Sequence, residues 1–439
     1  MKNSRYMSIH ENGHLMFSGC DTVELAKKYE TPLYVVSEDC IRDKCRELKR
    51  DFLQKYDNTK VLYASKAFLT VAMCKIINEE GVGLDVVSSG ELYCALKAEF
   101  PAERIYFHGN NKTEEEIRFA VENNIGCMVI DNLHEMELLQ KIAKEMRKQV
   151  NGMLRVSPGI SAHTHEYLAT GQLDSKFGFP IEGDKALEAV RGTLNCSNLK
   201  FKGIHCHIGS QIFNVESYRQ AASIMTDFMV EIKEKLGIEI EELNLGGGFG
   251  IHYAEGDEPK APREYTDAMM EILKQKCEEN HMKLPCLLIE PGRWIVASAG
   301  ITLYTVGAIK EIEGIRTYVS IDGGMNDNPR PSMYDAEYEG DIVNKMKEDK
   351  NNKVSISGKC CESGDILIWD IKVPSIKAGD ILGVYNTGAY NYSMASNYNK
   401  LRRPAVVMVK GGKSSLMVRR ETYKDLLRNE IIGPEKEYI

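Results

Sequence analysis

A lysine, two histidines, an arginine and a glutamate recur in this chain just past short apolar runs: Lys66, His108, Arg155, His207 and Glu290, with Asp85 and Asp131 among them. These side chains can attack carbonyls, move protons and hold anions. Lys66 lies in Tyr63-Ala64-Ser65-Lys66-Ala67, a largely apolar stretch. A lysine among apolar neighbours has a reason to shed its proton and act as an amine nucleophile. The ordinary alternative is a buried stem whose ammonium reaches solvent. Gly246-Gly247-Gly248-Phe249-Gly250 can turn backbone N–H groups onto an anion, although a tight turn alone also explains such a run. It gains weight from Glu290-Pro291-Gly292-Arg293 and His205-Cys206-His207-Ile208-Gly209-Ser210, which close the neighbouring runs.

Short strands alternating with amphipathic helices must carry these groups. The apolar pattern predicts strands over Lys60–Ala64, Leu84–Val87, Arg104–Phe107, Cys127–Ile130, Gly152–Val156, Lys202–His207, Glu241–Leu245 and Cys286–Ile289. Helices lie between them; Thr113-x-x-Glu116 and Ser88-x-x-Glu91 read as capping boxes, and Asp131 as a helix N-cap. Eight βα units predict a closed (β/α)8, TIM-like barrel over residues 36–300, whose chemistry belongs at the strand C-terminal ends. After residue 300 the pattern turns β-rich: Ile301–Lys310, Asp365–Val373, Gly379–Val384 and Ala405–Val409, joined from the N-terminal side by Leu33–Val36. That predicts a second, mainly antiparallel β domain made of residues 1–35 and 301–439. A phosphate cradle, a carboxylate and a base beside a rim lysine point to Schiff-base chemistry with pyridoxal 5′-phosphate, Glu290 keeping the pyridine nitrogen protonated.

Composition narrows the partners. The net charge is −8, and no long run of lysine and arginine argues for nucleic acid or an anionic membrane. Met1 to Leu15 is polar, so no secretion signal is expected, and no apolar run matches a membrane span. The 12 cysteines show no metal-ligand spacing, so reduced thiols and no metal are expected. The adjacent pair Cys360-Cys361 stands apart because its neighbours are polar.

Over nearly its whole length the chain resembles the barrel-fold (fold type III) pyridoxal-phosphate decarboxylases. The resemblance is carried by Tyr63-Ala64-Ser65-Lys66-Ala67, Asp85-Val86-Val87-Ser88-Ser89-Gly90-Glu91-Leu92, Phe107-His108-Gly109-Asn110-Asn111-Lys112-Thr113 and Ser175-Lys176-Phe177-Gly178, with the loops already quoted. Arg330-Pro331-Ser332-Met333-Tyr334-Asp335-Ala336 and Cys361-Glu362-Ser363-Gly364-Asp365 are similar to the branch acting on diaminopimelate rather than ornithine. The chain departs from the family at Phe68, Lys359 and Cys360, none of which removes a reacting group. The resemblance implies decarboxylation of meso-2,6-diaminopimelate to lysine. It implies that Lys66 carries the cofactor, with Asp85, His207, Ser210, Gly248, Glu290, Gly292, Arg293 and Tyr390 holding it. Arg293, Arg330, Tyr334, Glu362 and Tyr390 would bind substrate. Cys361 is the candidate to protonate the α-carbon, with Lys66 the alternative donor. It further implies a cytoplasmic homodimer in which Cys361 and Glu362 complete the partner's site. The competing readings are a decarboxylase of D-lysine, D-ornithine, arginine or a polyamine precursor, a racemase, and a catalytically silent homologue.

Overall fold

The computed structural model describes residues 5–160 and 174–431. Its backbone divides into two units: residues 41–252 with 256–296, and residues 1–40 with 253–255 and 297–439.

The first unit is a barrel of eight parallel strands: β1 (Thr59–Ala64), β2 (Gly83–Val86), β3 (Ile105–Phe107), β4 (Cys127–Ile130), β5 (Val150–Ser157), β6 (Leu199–His205), β7 (Glu242–Asn244) and β8 (Cys286–Ile289). Neighbours in sequence are neighbours in the sheet, and β8 pairs with β1 to close the ring. Several strands are buried along their length, which is why Cys127–Ile130 and Cys286–Ile289 read as unbroken apolar runs rather than alternating ones. Inside, Leu62, Val129, Met153 and Leu288 pack as one cluster, so the interior is filled and reactive groups are confined to the rim.

Local chemistry sets the helix starts. Thr113 caps the helix Glu114–Glu122 in a reciprocal box with Glu116, as its spacing predicts. The second box is only half made. Ser88 accepts from the Glu91 N–H, but the Glu91 carboxylate accepts from the Val87 N–H and the Ser65 hydroxyl, each at 2.7 Å. Asn132, not Asp131, caps the helix Leu133–Glu145. Asp131 is buried and accepts from the Gly178 N–H at 3.0 Å, so it ties two rim loops together.

The second unit is built on the long strand Gly300–Ile312, which pairs antiparallel with Leu33–Ser37, Arg316–Ile321 and Ile381–Tyr385. Two pairings are parallel: Ala405–Lys410 with Leu33–Ser37, and Arg316–Ile321 with Asn352–Ser357. Leu33, Val35, Ile301, Leu303, Val407 and Val409 form its core with Leu15 and Phe17. The strands Asn352–Ser357 and Lys413–Val418 escape the sequence pattern because they are short and polar. A three-stranded sheet at Met7–Ile9, Leu15–Phe17 and Cys20–Asp21 escapes it because its strands are only two or three residues long.

Candidate active site

The barrel rim gathers the reactive groups named from sequence. Lys66 follows β1 in a single 3-10 turn, exposed while Ser65 and Ala67 beside it are buried. The end of β8 brings Glu290, which is 6% exposed. Its Oε1 accepts from Asn244 Nδ2 at 2.7 Å and its Oε2 from His205 Nε2 at 3.2 Å. His108 Nε2 lies 2.9 Å from Oε1, an ion-pair distance outside hydrogen-bond geometry. Burial presses the Glu290 carboxyl upward, but His108 and His205 outweigh it and hold the pKa well below the usual range. Glu290 is a buried anion. Burial lowers His205 to about 4, so that ring is neutral and donates its Nε2–H.

Asp85, at the end of β2, is buried 3.8 Å from His108 Nε2, and its Oδ1 has no hydrogen-bond partner among the described residues. Burial raises its pKa to about 6. His207 follows β6, partly open, and its Nδ1 accepts from the Gly247 N–H at 3.3 Å. Burial first, and the cations Lys66 and Arg155 next, push its pKa well below the ordinary value. Arg293, buried at the start of a short helix, forks onto Ser210 Oγ at 3.2 and 2.8 Å. Gly292 backs onto Ala64 at the end of β1. Gly248 has φ 96°, and a Cβ there would stand 2.3 Å from Gly209 O, so the loop after β7 admits only glycine. In that loop Gly246 and Gly250 donate to Asn244 Oδ1 and Ile212 O.

The remaining candidates belong to the β unit. Arg330 opens the short helix Arg330–Tyr334, is 5% exposed, and donates from Nη1 to the Tyr338 hydroxyl at 2.6 Å. Its guanidinium lies 4.8 Å from the centre of the Tyr253 ring. Burial opposes its charge, but Tyr253 and Tyr338 outweigh that and keep it a cation. Tyr334 ends the same helix, half-buried, and Tyr390 precedes the helix Asn391–Met394. Cys361 and Glu362 lie exposed on one turn, where the Cys361 N–H donates to Asn399 Oδ1 at 2.7 Å. Cys360 is the opposite case: buried, its sulfur 3.5 Å from Asn326 Oδ1, its thiol raised by burial to about 12.

Three contributors had no assigned role in the sequence reading. His108 carried a signal, its place at a strand end. His205 carried another, two residues from His207 and so on the same face of an extended segment. Asn244 carried none, because an asparagine ending a strand is ordinary.

This donor set fits pyridoxal phosphate. It offers a reachable lysine, a buried anion for a protonated ring nitrogen, an imidazole, and a glycine loop beside an arginine and a serine hydroxyl. Ligand atoms of His108, His205 and Glu290 also lie within 4.8 Å of one another, an arrangement of a kind that suits a divalent metal.

Comparison with known proteins decides between these uses. Residues 40–297 match the family model of the pyridoxal-dependent decarboxylase, pyridoxal binding domain. The chain is 48% identical to a diaminopimelate decarboxylase of Bacillus subtilis (strain 168), over 96% of both chains. It is 46% identical to one of Staphylococcus aureus (strain COL), over 96% of this chain and 98% of that one. Its fold superposes with a TM-score of 0.92 on the crystal structure of a diaminopimelate decarboxylase from M. jannaschii in complex with L-lysine, at 37% identity and 99% of each chain. With its rim lysine, its clamped glutamate and this breadth of likeness, the chain belongs to the pyridoxal-dependent decarboxylases, in their diaminopimelate decarboxylase branch.

Proposed function

We propose that this protein removes carbon dioxide from meso-2,6-diaminopimelate and releases L-lysine, the final step of lysine biosynthesis. The observation that carries the reading is the pairing, on one barrel rim, of an exposed lysine with a buried, anionic glutamate. Lys66 would hold pyridoxal phosphate covalently, Glu290 would meet its ring nitrogen, and His207 would lie against its face. Ser210, Gly248 and Tyr390 would hold its phosphate, and Asp85, Gly292 and Arg293 complete the shell. When bound, that cofactor supplies an electron sink for the pair left behind by carbon dioxide. The chain's own part is to keep Glu290 ionised, to release and recapture the Lys66 amine, and to deliver a proton to the α-carbon. Cys361 is the proposed donor: it is exposed, whereas Cys360 is sealed in.

Selection of substrate falls to the far end of the molecule, which carries an ammonium and a carboxylate. Arg330 supplies a fixed cation with a forked donor set suited to carboxylate; Tyr334, Glu362, Arg293 and Tyr390 complete the proposed subsite. A decarboxylase of a plain diamine precursor has no use for that arginine. We place the enzyme in the cytoplasm as a homodimer, each site completed by Cys361 and Glu362 of the other chain. All 12 cysteines are free thiols, which suits a reducing compartment. No helix among the described residues is long and apolar enough to cross a membrane.

The test is incubation of the purified chain with pyridoxal phosphate and meso-diaminopimelate, with assay of carbon dioxide and lysine. Borohydride should fix the cofactor to Lys66, and Lys66→Ala should abolish both labelling and turnover. Labelling of another lysine would overturn the site, and turnover of D-lysine or ornithine in preference would overturn the substrate.

A further inference from the structure

We infer that His108 and His205 are positioning residues, a clamp that pins the Glu290 carboxylate where the cofactor's ring nitrogen must meet it. The inference rests on the cofactor reading above and goes beyond it. A buried carboxylate on one strand end can rotate about its side-chain torsions, and a displaced anion binds a ring N–H poorly. Here each oxygen faces one imidazole: Oε1 lies 2.9 Å from His108 Nε2, and Oε2 accepts from His205 Nε2 at 3.2 Å. The rings meet edge to face, with centroids 4.8 Å apart and planes at 72°. Asn244 adds a bond to Oε1 at 2.7 Å. His108 follows β3, and His205 and Asn244 end β6 and β7, so the carboxylate is referenced to three other strands of the barrel, of which only β7 adjoins its own. His108 and His205 are 4% and 1% exposed, so they act through Glu290 and stay clear of solvent.

A plain structural role would predict that losing the imidazoles weakens every ligand of the pocket alike. The clamp predicts a loss only where the ring nitrogen is present. The experiment compares cofactor-stripped wild-type chain with His108→Leu, His205→Leu and the milder His108→Gln and His205→Gln. Each is titrated with pyridoxal phosphate and with its 1-deaza analogue, in which C–H replaces the ring nitrogen. Each leucine variant should bind pyridoxal phosphate about ten-fold more weakly or worse, the loss expected for one contact to a buried charge, a hydrogen bond at His205 and an ion pair at His108. Affinity for the deaza analogue should stay at the wild-type value, which also reports an intact pocket. The glutamine variants keep a donor and should recover part of the loss, so a leucine variant that failed to fold would still leave a decisive pair. Equal weakening toward both rings, or no weakening toward either, overturns the clamp. A wild-type chain that binds neither ring overturns the cofactor reading, and the inference falls with it.

Discussion

At the scale of single residues, the two adjacent thiols separate by environment rather than by type. Cys360 is buried with its thiol raised to about 12. Near pH 8 only about one part in ten thousand is thiolate, and the thiolate is the reactive form. Iodoacetamide should therefore label Cys361 and spare Cys360 in the native chain, read by peptide mass. Preferential labelling of Cys360 would sink the assignment of Cys361 as the reacting thiol. Arg330 gives the sharper test of substrate. Arg330→Ala removes a charge-assisted contact worth roughly 1.5–3 kcal/mol, about ten- to a hundred-fold in kcat/KM for diaminopimelate. Substrates without a distal carboxylate, such as D-lysine, should lose far less. Equal losses on both would make the arginine structural and leave the substrate argument without its physical support.

At the scale of elements, the barrel was legible because its strands are short apolar runs that alternate regularly with helices, some of them opened by recognisable caps. Legibility ended where one residue serves two loops. Ser88 and Glu91 have the spacing of a reciprocal cap, yet Glu91 turns to Ser65 and Val87 because an oxygen acceptor is needed beside the Lys66 turn. Asp131 has the position of a cap and ties down Gly178 instead. In the β unit Asp365 does similar service. Its carboxylate accepts from the Met325 N–H at 2.7 Å and the Cys360 N–H at 2.8 Å, joining the segment before Arg330 to the turn before Cys361. Gly324 and Gly358 flank it so closely that a Cβ on either would stand 2.4 or 2.1 Å from a carboxylate oxygen. Sequence showed Asp365 as the end of a motif and the start of a strand but not as a tie, since nothing in spacing reveals a bond across 40 residues. Asp365→Ala should loosen both segments at once. We expect kcat/KM to fall about ten-fold or more, while borohydride still fixes cofactor to Lys66. Unchanged turnover would show that the two segments hold without it.

At the scale of the whole molecule, the question is where one active site ends. Lys66 belongs to the barrel unit, Cys361 and Glu362 to the β unit, and the last two are exposed in the single chain. If the site is shared across a two-fold dimer, a defect in one half and a defect in the other can be sorted onto different sites. Take Lys66→Ala, which keeps Cys361, and Cys361→Ala, which keeps Lys66; each homodimer is inactive. Mixed under conditions that exchange subunits, half of the dimers become hybrids. In each hybrid one site receives both lesions, and the other receives an intact Lys66 from one chain and an intact Cys361 from the other. About a quarter of wild-type activity should return at full exchange. A site contained within one chain predicts no recovery, because each chain carries its own lesion wherever it goes. Exchange must be read separately, by tagging one variant and weighing the mixed dimer in native mass spectrometry. Hybrids that form and remain silent would place Cys361 in its own chain's site. Recovery near a quarter would tie oligomerisation to catalysis, and dilution below the dimer's dissociation constant should then extinguish activity without unfolding either unit.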